Sequence, residues 1–326
     1  MYKHDVGRER MVNQTVKMII IFFLMGWALI GCSEKSTTQG SVEEGKNREK
    51  LTAVATVGMI ADIVANIGKE HVEVTSLMGP GVDPHLYKAT QGDIGKLDKA
   101  DIIFYNGLNL EGKMGDIFVR MANQKPTIAV SEKIDPAILR EPPEFQGHYD
   151  PHIWFNVKLW MQAAERVKEG LIEADAAHKE DYEQNAAAYL KKLEELDAYA
   201  KEQIASIPEA SRVLVTAHDA FGYFGDAYGI KVMGLQGIST DAEYGLKDVQ
   251  NLVNVLVNQR IKAVFIESSV SPKAIEAVVQ GAREKGHEVK IGGELFSDAM
   301  GEAGTVEGTY IGMVRHNIDS IVAALK

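Results

Sequence analysis

Residues 176–207 read AAHKEDYEQNAAAYLKKLEELDAYAKEQIASI, a run with no Gly or Pro and dense in Ala, Leu, Glu and Lys. Those residue types favour helix because they lose little side-chain freedom in it. Tyr182, Ala186, Tyr189, Leu193 and Leu196 recur at steps of three and four, which gathers them into one apolar stripe with a charged, solvated face opposite. The pattern predicts a single helix of roughly 48 Å at about 1.5 Å per residue. Upstream, from Leu51, short strand-like runs (Leu51–Val57, His71–Met78, Asp101–Asn106 and a weaker Thr127–Val130) alternate with helix-like runs (Ile60–Gly68, Thr90–Leu97, Lys113–Asn123). Downstream, strand-like Val213–Thr216, Val232–Leu235, Ala263–Glu267 and Glu288–Ile291 alternate with helix-like Ala220–Tyr228, Leu246–Gln259, Ser271–Lys285 and Thr305–Leu325. Strands alternating with helices at this spacing imply parallel sheets covered on both faces. The expected fold is therefore α/β, two lobes each with a mostly parallel sheet flanked by helices, joined by one long rigid helix. The expected boundaries are 51–175, 176–207 and 208–326.

The chain has 326 residues, 45% hydrophobic and 25% charged, with 35 Lys plus Arg against 46 Asp plus Glu and a formal net charge of -11. This is a globular composition, and its acidity lacks the clustered basic footprint of a nucleic-acid binder. One Cys excludes a disulfide framework, a CxxC redox pair and a four-cysteine metal site within the chain. That Cys has a telling position. Lys3, Arg8, Arg10 and Lys17 precede the apolar run Met18–Ile30, which is short of the roughly 20 residues that span a bilayer and ends in Leu29-Ile30-Gly31-Cys32. The arrangement looks like a bacterial lipoprotein signal with Cys32 as the lipidated residue. Ser33–Lys50 is polar and resembles a flexible tether. Residues 1–31 are thus expected to be a signal peptide and 32–50 the lipidated Cys and its tether. The mature protein is then extracytoplasmic and membrane-anchored, on the periplasmic or cell-surface side.

Nine histidines are present. His4 leaves with the signal, and His71, His178, His287 and His316 sit at element ends or among charges, where an exposed role is expected. The other four fall in loops where strands or breakers meet helices, the usual place for ligands on open α/β sheets. His85 ends Gly79-Pro80-Gly81-Val82-Asp83-Pro84-His85. His148 and His152 share Gly147-His148-Tyr149-Asp150-Pro151-His152-Ile153-Trp154, with a helix expected from about Asn156. His218 closes the strand-like run Val213-Leu214-Val215-Thr216-Ala217-His218. Asp-Pro-His used twice, with a third His at a strand's carboxyl end, points to metal binding but does not by spacing alone fix a ligand set.

Four segments carry a resemblance. Val82-Asp83-Pro84-His85, Asp150-Pro151-His152-Ile153-Trp154-Phe155, Thr216-Ala217-His218-Asp219-Ala220-Phe221 and Gly292-Gly293-Glu294-Leu295-Phe296-Ser297-Asp298 look like the signatures of the zinc/manganese-binding lipoproteins of ABC transporters. These are the cluster A-I, TroA-like or ZnuA-like solute-binding proteins. The likeness covers residues 51–326 in order. It implies that His85 and His152 from the first lobe, with His218 and Asp298 from the second, hold one metal ion in the cleft between lobes. By spacing alone Asp298 reads as an N-cap of the terminal helix region; the motif reverses that. His148 is then a rim residue, and Glu267 an alternative carboxylate or a partner for a ligating imidazole. Asp83, Asp150 and Asp219 are read as turn-makers, and Trp154 and Trp160 as core.

Three imidazoles and a carboxylate suit zinc, which binds more tightly than manganese in the usual divalent order. One bound Zn(II) is the expected cargo, with Mn(II) the other candidate, and no catalytic cofactor is expected. The resemblance implies a monomeric, non-enzymatic receptor that hands its ion to an ABC permease and its ATPase. Two readings compete. A zinc hydrolase would use the same cluster, but catalytic zinc keeps a position open for water, and no His-Glu-x-x-His helix is present. A surface adhesin gains little support from an acidic chain.

Overall fold

The computed structural model describes residues 50–326 apart from Gln146, so the signal segment, Cys32 and the tether lie outside the described residues. The described part opens with β1 (Leu51–Ala55), α1 (Gly58–Gly68), β2 (Val72–Ser76), α2 (Gln91–Lys99), β3 (Ile102–Tyr105), α3 (Gly115–Ala122) and β4 (Thr127–Ala129). The four strands form one parallel sheet in the order β2-β1-β3-β4, with Leu51 beside Val72, Ala53 beside Ile102 and Ile103 beside Thr127. Ile102, Ile103 and Phe104 are consecutive and fully buried, as a parallel strand covered on both faces requires. α2 starts at a capping box, in which the Thr90 side chain accepts from Asp93 N–H and the Asp93 carboxylate accepts from Thr90 N–H.

α4 (Val157–Ala174) is capped by Asn156, whose Oδ1 accepts from Lys158 N–H at 3.0 Å. α5 (Lys179–Ala205) is the expected long helix, about 40 Å in length. Its expected stripe is all buried, extended by Asp197, Ala200 and Ile204. The ends differ from expectation. Ala176–His178 form a separate 3₁₀ turn, and the helix stops at Ala205, with Ser206 as its cap.

Beyond it run β5 (Val213–His218), α6 (Gly222–Tyr228), β6 (Lys231–Gln236), α7 (Leu246–Gln259), β7 (Ala263–Glu267), α8 (Lys273–Glu284), β8 (Lys290–Leu295) and α9 (Tyr310–Leu325). All pairings are parallel, but the strands form two ladders, β5-β6 and β7-β8, rather than one four-stranded sheet. β5 and β7 still lie side by side. At their carboxyl ends a side chain takes the place of a ladder bond, because the Glu267 carboxylate accepts from His218 N–H at 2.8 Å. Gly292 in β8 is required by packing: a Cβ there would stand 2.7 Å from Ala324 and 2.8 Å from Phe265.

The fold is α/β, with two lobes of parallel strands flanked by helices and a long helix joining them. One hydrophobic core runs from the first sheet through α1, α4 and α5 to α6 and α9. A second, smaller core packs α7 and α8 against β5 and β7. Trp154 and Trp160 are fully buried core residues, as expected. No helix among the described residues is long and apolar enough to cross a membrane.

Candidate metal centre

Both Asp-Pro-His turns fold the same way. Asp83 Oδ1 accepts from His85 N–H at 2.9 Å, and Asp150 Oδ1 accepts from His152 N–H at 3.0 Å. In each, a carboxylate caps the amide two residues on while Pro fixes the backbone between them. The first turn follows β2, at the carboxyl end of the sheet. The second precedes α4. His218 is the last residue of β5, and Asp298 lies beyond β8. Elements far apart in sequence thus deliver four side chains to one point.

The candidate ligand atoms of His85, His152, His218 and Asp298 all lie within 4.8 Å of one another. His85 Nε2 is 3.3 Å from His152 Nε2 and 3.7 Å from Asp298 Oδ2. Asp298 Oδ1 is 3.4 Å from His152 Nε2, and Oδ2 is 3.3 Å from His218 Nε2. Donors about 2.0–2.1 Å from a tetrahedral ion stand about 3.3 Å apart, so the spacing fits a transition-metal ion at the centre. Exposure is 4% for His85, 1% for Asp298 and nil for His152 and His218. His218 Nε2 and both Asp298 oxygens are buried without a hydrogen-bond partner. Buried polar atoms are ordinarily satisfied, so three orphans aimed at one point mark a place for a ligand.

The far sides of two rings are held. His152 Nδ1 meets Asp150 Oδ1 at 2.8 Å, and His218 Nδ1 meets Glu267 Oε2 at 2.5 Å. With Nδ1–H donated to a carboxylate, Nε2 is the nitrogen left facing the cluster, where an ion takes its lone pair once its proton has left. The edge of Trp154 packs against the His152 ring, with centroids 5.2 Å apart. Electrostatics follow from this crowding. Burial works against charge on His152, yet Asp150 and Asp298 prevail and raise its pKa to about 9. Burial likewise opposes charge on His218, but Glu267 and Asp298 hold its pKa well above the usual histidine value. No carboxylate among the described residues holds the far side of the His85 ring; burial, with repulsion from the other two rings, lowers its pKa to about 3 against the pull of Asp298. Burial alone would raise Asp298, but His218 and His152 hold it well below the usual carboxylate range.

The other sequence candidates fall differently. His148 is exposed, near the Phe145 ring, and stands outside the cluster. Asp298 is not a helix cap, since α9 is capped by Thr309, which accepts from Gly312 N–H. Glu267 is the imidazole partner of His218. Asp150 makes its turn as expected and is also the imidazole partner of His152, a role the sequence reading missed. Asp219 N–H donates to Gln236 O, continuing the β5-β6 ladder. His71, His178, His287 and His316 are half-buried rather than exposed, because each ring finds a partner: Asp181, Asp175, Ile261 O and Glu294 O respectively.

Residues 53–324 match the family described as zinc-uptake complex component A, periplasmic (ZnuA). The chain is 54% identical over 302 residues to the manganese-binding lipoprotein MntA of Bacillus subtilis, covering 92% of this chain and 96% of that protein. It is 51% identical over 276 residues to the zinc-binding protein TroA of Treponema pallidum, covering 85% and 89%. The solved structure of periplasmic TroA from T. pallidum matches with a TM-score of 0.83 at 50% identity, over 85% of this chain and 99% of that one. With sequence and fold in agreement over nearly all the described residues, the chain belongs to the ZnuA family of periplasmic zinc-uptake components and has the TroA-like fold.

Proposed function

We propose that the protein is the extracytoplasmic substrate-binding lipoprotein of a metal ABC transporter, capturing one divalent transition-metal ion between its lobes and delivering it to a membrane permease and its ATPase. The observation that carries this reading is the convergence of His85, His152, His218 and Asp298 within 4.8 Å, all buried, with His218 Nε2 and both Asp298 oxygens orphaned. These four are the metal ligands, His85 and His152 from an N-terminal lobe (51–175), and His218 and Asp298 from a C-terminal lobe (208–326). The segment 176–207 links the two, and a stiff helix there limits the lobes to small rearrangements. Cys32 carries the lipid that tethers a monomer to the membrane. Relatives named for metal binding, one of them a lipoprotein, support the assignment.

Zinc is the ion that three imidazoles and a carboxylate hold most tightly at tetrahedral spacing. Manganese is a second reading with its own support. The relative at 54% identity is named for manganese, and both oxygens of Asp298 face imidazoles, which permits bidentate, five-coordinate binding. A hydrolase is less well served by this cluster, since four protein ligands close the position that catalytic zinc reserves for water.

Metal analysis of the purified full-length protein tests the proposal. One equivalent of zinc or manganese is expected in the native protein, lost in each of His85→Ala, His152→Ala and His218→Ala, with X-ray absorption at the two metal edges naming the element. A native protein that retains no metal after exposure to both ions would refute it.

A further inference from the structure

The two turns that present His152 and His85 are joined to the C-terminal half by unlike contacts. Around His152 the ties are buried: Trp154 Nε1–H donates to Ser297 O at 3.0 Å, Tyr310 O–H to Trp154 O at 2.6 Å, and Tyr223 O–H to Asp150 O at 2.9 Å. Apart from the ligand contact of His85 with Asp298, the His85 loop, residues 79–90, makes one side-chain hydrogen bond to the C-terminal half among the described residues, in which Thr240 Oγ1–H donates to Asp83 Oδ2 at 2.5 Å. The other oxygen of that carboxylate is the acceptor for His85 N–H. One carboxylate therefore couples the backbone of a ligand to a hydroxyl 157 residues away.

Thr240 is itself well placed for this. It is 8% exposed and sits in the loop after β6, which is braced from within by Gln236 Nε2–H donating to Thr240 O and Ala242 O. Beside it, Lys113 pairs with Asp241 at 2.9 Å, an exposed contact of the kind that contributes little. Removing the Thr240 hydroxyl would leave an Asp83 oxygen without its donor, and the His85 loop would lose this tie to the other half.

We propose that Thr240 is a positioning residue for metal retention: its hydrogen bond to Asp83 latches His85 onto the ion, and opening of that bond frees His85 first when the ion leaves. The inference rests on the reading of the cluster as a metal site. It makes the β6–α7 loop the part of the molecule through which release can be controlled without touching a ligand.

The test compares zinc-loaded full-length wild type, Thr240→Val and Thr240→Ser, with zinc release driven by excess chelator and followed by stopped flow. Loss of one hydrogen bond to a charged acceptor corresponds to roughly 10- to 150-fold. Thr240→Val is therefore expected to release zinc at least about tenfold faster, Thr240→Ser to restore the wild-type rate, and all three metal-free proteins to melt together. The latch is overturned if Thr240→Val releases at the wild-type rate, or if Thr240→Ser is as fast as Thr240→Val. It is also overturned if the metal-free Thr240→Val protein is destabilised enough to account for the change. A wild-type protein that holds no zinc at the start would instead sink the metal reading, and the latch with it.

Discussion

His152 and His218 each give one ring nitrogen to a carboxylate and leave the other for the cluster, so the chemistry of the site is set one bond behind its ligands. Asp150→Asn keeps an oxygen to cap His152 N–H but makes a weaker partner for Nδ1–H. It is expected to lower metal affinity by about 10- to 100-fold, read by competition with a chromophoric chelator. Unchanged affinity would show that Asp150 is only a turn residue. Protonation gives a second expectation. The raised pKa values of His152 and His218 and the lowered value of His85 place protons on the first two at neutral pH. An incoming ion must displace them, so binding at pH 7 should release protons and affinity should climb with pH. Calorimetry in buffers of differing ionisation enthalpy measures this directly, and a buffer-independent heat would contradict it. Asp-Pro-His was legible in sequence because the motif is local. Asp150's second role was not, since the same residue type in the same turn does without it at Asp83, whose other oxygen meets Thr240 instead.

At the scale of elements, α5 shows why period outweighs propensity. Its stripe from Tyr182 to Ile204 is buried against a core shared by both lobes, so its register is fixed by packing along its length. Leu193→Ala opens a cavity at the middle of that stripe and is expected to cost about 2–5 kcal/mol in denaturant unfolding. Glu194→Ala, one residue on and exposed, should stay within about 0.5 kcal/mol. Similar costs for the two would mean that the helix is a surface strut. What the sequence concealed lies at element ends. Ala176–His178 have helical composition but form a 3₁₀ turn, where His178 and Tyr182 both bond Asp175. Thr305, expected to open the terminal helix, stands outside it: Thr305-Val306-Glu307-Gly308 are mostly poor helix formers, and Thr309 supplies the actual cap. The split of the C-terminal strands into two ladders was invisible too, since hydrophobic runs specify burial but not which neighbours exchange backbone bonds.

For the molecule as a whole, three carboxylates (Asp150, Glu267 and Asp298) are buried around three imidazoles, with Arg140 Nε a further cation 3.5 Å from Asp150 Oδ2. Protons on the imidazoles or a divalent ion each offset part of that negative charge, so the metal-free and loaded proteins are alternative solutions of one electrostatic problem. This couples stability to pH with a definite sign. His152 has a folded pKa of about 9 against 6.5 for the unfolded group, so the folded protein binds more protons in that window. Its contribution is fully present below about pH 6.5 and is lost as pH rises through about 9. The ion reverses the dependence, because it binds the folded state and binds it better once protons have left. It adds about 2.7 kcal/mol when free metal is a hundred times the dissociation constant. Thermal scans with chelator and with zinc, at pH 6 and pH 9, should therefore show the gap between loaded and metal-free proteins widening at the higher pH. In His152→Ala, which removes both the proton site and a ligand, that widening should vanish. A gap that narrows as pH rises in the native protein would mean that protons and metal do not compete for this cluster, and the centre would then have to be something other than a place where one charge replaces another.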